Sequence, residues 1–101
     1  MARLDWTEPA RDDLARIRRY IARDSKTAAA RIAQRILAAA RRLRSFPQSG
    51  SPFPAVTIAE VRTLVVGQYL VYYQVLPNEV RILMVKHGAQ LLDLRELHAR
   101  I

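Results

Sequence analysis

The chain has no cysteine, so it can form neither a disulfide framework nor a thiolate metal site. Two histidines without a carboxylate cluster do not make a metal site either, and no cofactor is expected. Glycine and proline are scarce, at three and five residues, which excludes collagen-like and low-complexity chains. The longest apolar run lies near Leu64–Val66 and is far too short to cross a bilayer. Met1–Trp6 carries no apolar stretch of the secretory kind. These absences predict a soluble, cytoplasmic protein with no membrane partner. The composition that remains is globular, with 50% apolar and 26% charged residues over 101 positions. That length predicts a single domain, 1–101, with no second core.

Negative charge is also in short supply. Seventeen Lys and Arg face nine Asp and Glu, a formal +8 with a pI near 11.0. Such a field attracts nucleic acid, anionic membrane or an acidic protein segment, and does not choose among them. Fifteen of the cations are arginine; only Lys26 and Lys86 are lysine. Arginine suits bidentate pairing with carboxylates and phosphates, although a codon preference would give the same count. Asp12, Asp13 and Asp24 interrupt the helical arginines, and no narrow face gathers them. A solvated helix face is therefore favoured over direct nucleic-acid binding. The apolar stripes carry small and branched residues rather than Trp and Phe anchors, which disfavours a membrane surface.

Arg3-Leu4-Asp5-Trp6 alternates polar and apolar and predicts a short strand. Thr7 follows as a helix N-cap, with Glu8 and Pro9 in the first turn. Ala10, Leu14, Ile17 and Ile21 then form one apolar stripe. Asp24-Ser25 breaks the pattern, with Ser25 the cap of a second helix whose face is Ala29, Ile32, Ala33, Ile36, Ala40 and Leu43. So short a link predicts an antiparallel helical hairpin. Phe46–Pro54, with three prolines and a glycine, reads as a loop without regular structure. From Glu60 the period becomes two. Val61–Val66 and Tyr69–Leu76 read as strands joined by a type II′ turn at Gly67-Gln68, with Tyr69–Leu76 central. Pro77-Asn78 turns the chain into a last strand, Val80–Val85. Leu94, Leu97 and Ile101 predict a short C-terminal helix or a mobile tail. The sum is α+β in the order β-αα-βββ, a helical hairpin packed on a small, mostly antiparallel sheet.

This pattern resembles the RelE/ParE superfamily of type II toxins along almost the whole chain. The matching pieces are Leu4-Asp5-Trp6, Ala10 with Asp13-Leu14, Tyr20-Ile21-Ala22, Phe46-Pro47 with Gly50, Val61-Arg62, Tyr69 with Val71 and Tyr73, Ile82-Leu83, and His87-Gly88-Ala89. Their order and spacing carry the likeness, which is closer to the ParE branch. The resemblance implies two N-terminal helices on an antiparallel sheet and a toxin held inactive by a cognate antitoxin with an acidic or amphipathic disordered segment. It also implies operator DNA bound only through the antitoxin complex. ParE-like members are described as non-catalytic inhibitors of DNA gyrase, the expected action here; RelE-like members cut mRNA on the ribosome, and a non-toxic member that only binds its antitoxin and operator DNA is a further alternative.

Cleaving RNA requires activation of the ribose 2′-OH, stabilisation of the crowded phosphate and protonation of the leaving oxygen, hence an acid/base group and several cations on one face. The position before Leu70-Val71-Tyr72, where RNA-cleaving members often carry Arg, is Tyr69 here. His87-Gly88-Ala89-Gln90 lacks a clustered Lys/Arg set. Lys86 and His87, with Arg62 and Arg81 adding charge, are the only candidates for such a site, and adjacent strand residues point to opposite faces. His98 is a weaker candidate still. For the ParE reading, target or partner contact falls on Arg62, Tyr69, Leu94 and Leu97. Against these, Arg62 also reads as an intramolecular salt bridge, His87 as a hydrogen-bonded structural residue, and the tyrosines as core. The C-terminal segment reads as docking on its own sheet or as a partner surface.

Overall fold

In the computed structural model, which describes residues 1–101, Arg3–Trp6 forms β1 and Glu8–Ala22 forms α1. Thr7 joins them. Its Oγ1 accepts from the Ala10 N–H at 3.3 Å and donates to the Ile82 carbonyl at 2.7 Å. One hydroxyl thus starts the helix and ties it to the last strand. Ser25 caps α2, Lys26–Arg42, through the Ala28 N–H at 3.0 Å. The link between the helices is short, and they pack on each other as a hairpin.

Four further strands follow: β2 (Ser51–Pro52), β3 (Val61–Val66), β4 (Tyr69–Leu76) and β5 (Glu79–His87). The sheet order is β1-β5-β4-β3-β2, which makes β4 central. Only the β1–β5 pair is parallel. Gly67 has φ 59 and Gln68 keeps a negative φ, as a type II′ turn needs. Pro77-Asn78 places Asn78 at φ 59, the left-handed position that a type II turn sets after proline.

One expectation needs correction. The Phe46–Pro54 stretch is not wholly irregular, because Ser51 and Pro52 pair with Thr63 and Arg62. Proline is tolerated there because β2 is the outermost strand and no further ladder needs its N–H. At the C-terminus the helical alternative holds: Leu94–Ala99 forms α3, capped by the Asp93 carboxylate on the Arg95 N–H at 3.0 Å. Leu97 is wholly buried.

The sheet is covered on both faces. Ala10, Ile36, Ala40 and Leu43 of the hairpin region meet Val71, Tyr73, Val80, Ile82 and Val85 on one face. On the other, Leu97 and Val56 meet Val61, Tyr72, Leu83 and Met84. Alternation along β4 therefore puts Tyr69 and Tyr73 beneath the helices and Tyr72 opposite. In β5 the register slips: Tyr72 pairs with Met84 but Tyr73 with Ile82, leaving Leu83 as an extra residue. This bulge lets Leu83 and Met84 both bury on the second face.

Candidate functional site

The largest cleft, about 650 Å³, lies between α1, the far end of β5 and the C-terminal segment. It exists because β1 pairs with β5 only as far as Ile82. Beyond that point the outer edge of β5 has no neighbouring strand, and two side chains take over its backbone groups. Asp13 Oδ2 accepts from the Val85 N–H at 3.0 Å, and Arg100 Nη1 donates to the Leu83 carbonyl at 3.0 Å. The two side chains also bond each other, Nη1 to Oδ2 at 2.6 Å and Nη2 to Oδ1 at 3.3 Å. Arg16 adds a 2.7 Å bond to Asp13, and Glu96 a 2.8 Å bond to Arg100. Burial pulls the Arg100 guanidinium down, but the Asp13 hydrogen bond and charge, with those of Glu96, hold it above the ordinary arginine value.

Sequence reasoning did not find Asp13 and Arg100 as a pair. The signal for Asp13 was present: it lies three residues after Ala10 and four before Ile17, on the apolar stripe itself. A carboxylate there must find a buried partner.

Around the cleft stand Tyr20, Tyr69, Lys86, His87 and the fully exposed Leu91. Lys86 is 9% exposed, and its Nζ donates to the carbonyls of His87 and Gln90. His87 Nδ1 accepts from the Ala89 N–H at 3.0 Å, which assigns the proton of a neutral ring to Nε2, 3.3 Å from Gln68 Oε1. The ring packs edge-on against Tyr69 at 5.3 Å. Both groups thus hold the turn after β5.

The other candidate residues lie elsewhere. Arg62 sits near the opposite edge of the sheet, where Nε bonds Glu60 at 2.9 Å and Nη1 bonds the Gly50 and Gln48 carbonyls. Tyr73 braces the same loop: its hydroxyl donates to the Pro47 carbonyl at 2.7 Å and accepts from the Gly50 N–H at 2.9 Å. A Cβ on Gly50 would come within 2.7 Å of that hydroxyl, so the loop closes only around glycine. Burial raises the Tyr73 phenol despite the Gly50 bond, so it remains the donor. Arg81 pairs with Glu79 at 3.0 Å and approaches Asp5 at 3.7 Å. Leu97 is buried on the sheet, whereas Leu94 keeps 36% of its surface, and His98 is exposed. Tyr69 is half-buried between two clefts. Lys86, His87 and Tyr69 share the large cleft; Arg62, Arg81 and Leu97 do not reach it. Toxin RelE2 of Caulobacter vibrioides is 37% identical over 91 residues, covering 90% of this chain and all of the relative. A solved structure described as the chromosomal ParDE TA system from P. aeruginosa superposes with a TM-score of 0.71 at 26% identity. The match covers 86% of this chain and 96% of that one. The family model for the ParE toxin of type II toxin–antitoxin system, parDE, matches residues 4–92, and the chain belongs to that family.

Proposed function

We propose that this toxin acts by binding rather than by cleavage, with DNA gyrase as its target and a cognate antitoxin as its neutralising partner. The antitoxin follows from membership of the family. The observation that supports a binding mode is the scatter of the residues an RNA-cleaving site would need. Lys86 and His87 are tied to backbone carbonyls and an amide N–H. Arg62 clamps a loop near the other edge of the sheet, and Arg81 is paired with carboxylates. An acid/base group and several free cations on one face are what phosphate cleavage demands, and these four do not supply them.

Purified protein assayed in parallel for gyrase supercoiling and for cuts in ribosome-bound mRNA tests this reading. Lost supercoiling or trapped gyrase–DNA complexes with intact mRNA are expected. Codon-phased mRNA cuts with unaffected gyrase would replace it with endonuclease action.

A further inference from the structure

The two helices of the hairpin carry their charge differently. α1 exposes Glu8 and Asp12 among its arginines, and Arg16 is paired with Asp13. α2 has no such interruption, because no Asp or Glu occurs between Asp24 and Glu60. Its exposed arginines are Arg31, Arg35, Arg41 and Arg42, and none of them meets a carboxylate. Arg31, Arg35 and Arg42 are spaced to share one side of the helix, with Arg41 at its flank. The row is about 16 Å long at ~1.5 Å per residue. Arg41 and Arg42 also suit the negative end of the helix dipole, but Arg31 and Arg35 lie too far from that end to gain from it.

Between these arginines the exposed residues are Gln34 and Ala38. No large apolar side chain is exposed on α2. A protein partner or a membrane surface would need such an anchor at the centre of its contact. Phosphates need none, since arginines and a neutral donor such as Gln34 supply the whole contact.

We propose that the outer face of α2 binds the backbone of duplex DNA directly, without reading its sequence, through Arg31, Arg35, Arg41 and Arg42. A row about 16 Å long crosses the ~12 Å major groove and reaches phosphates on both of its sides. Ala38 leaves the middle of the row low, so the helix comes close while the longer arginine side chains reach outward. An RNA duplex has a deep, narrow major groove that does not admit such a face. No residue of α2 lines the large cleft beside β5, so DNA on this face leaves that cleft free. The inference stands apart from the gyrase reading: loss of DNA binding would not restore an RNA-cleaving site, and gyrase inhibition does not require it.

The probe is a short duplex DNA of mixed sequence carrying a fluorescent label, titrated with the full chain by anisotropy from about 50 to 200 mM salt. Affinity should fall with salt on a log–log slope of about −3 to −4, as four phosphate contacts require. Arg35→Gln with Arg42→Gln should flatten that slope by about 2 and weaken binding about tenfold or more at the low-salt end. Arg35→Lys with Arg42→Lys keeps the charge and should keep the slope. Arg11→Gln with Arg18→Gln on α1 removes the same charge from exposed positions and should change the slope far less. No binding at the low-salt end, equal losses from the α1 and α2 pairs, or tighter binding of an RNA duplex or of polyglutamate would overturn the proposal.

Discussion

At the scale of single residues, the molecule depends on a few polar groups that stand where a strand or loop partner is missing. Asp13 and Arg100 are the clearest case, filling the edge of β5 that β1 does not reach. Arg100→Met should cost about 3 kcal/mol, the low end for a broken buried pair, because Asp13 keeps Arg16 and the Val85 N–H. Adding Asp13→Leu should recover much of that loss, since the stranded carboxylate goes with it; urea unfolding of the two single variants and the double variant measures both. Tyr73→Phe should cost about 2 kcal/mol by leaving the buried Gly50 N–H and the part-buried Pro47 carbonyl without this partner. Half of the Asp13 story was legible, since its place on the apolar stripe marks a carboxylate in need of a partner. Arg100 was not, because 87 residues separate the pair and no local pattern reports such a distance. Arg62 stands out in the sequence by its place in a strand, but only the fold brings the Gln48 and Gly50 carbonyls to its guanidinium.

At the scale of elements, hydrophobic period did most of the work. The capping residues Thr7 and Ser25, the two helical stripes and the switch to period two at β3 all lie where the sequence placed them. β2 and the β5 bulge were not legible. A two-residue strand has no period, and a bulge is defined by its neighbour rather than by its own sequence. The docking of α3 could not be chosen from sequence because three apolar residues at helical spacing serve a core or a partner equally. Leu97 settles it by burying on the sheet, and Leu97→Ala should cost about 3 kcal/mol in urea unfolding by opening a cavity under α3. The β1–β5 edge carries a pH dependence. The Arg3 hydrogen bond, with a further contribution from Arg81, holds Glu79 below the ordinary value of 4.5. A depressed folded value means that the stabilisation is complete above about 4.5 and is lost as pH falls below it. Wild type and Glu79→Gln should therefore differ in urea midpoint near neutral pH and converge in acid.

At the scale of the whole molecule, the sheet carries two different flanks. One, beside β5, is a mixed cleft closed by the Asp13–Arg100 pair; the other, beside β3, is a row of unpaired arginines next to an open strand edge. The charge excess was plain from composition, but its distribution was not. Carboxylates pair with arginines at the β1–β5 edge and at the C-terminal segment, while most arginines of the helical hairpin, Arg31, Arg35 and Arg42 among them, have none. A protein built this way presents binding surfaces on a two-sided sheet, and the separation of Arg62 and Arg81 from Lys86 and His87 supports the proposed reading of a toxin that acts by contact.

The most direct test of that claim is a gyrase supercoiling titration with wild type and with His87→Gln, run beside a ribosome-bound mRNA. Equal inhibition of gyrase by both proteins, with the mRNA uncut, is the predicted result. Unaffected gyrase together with mRNA cuts that vanish in His87→Gln would contradict it.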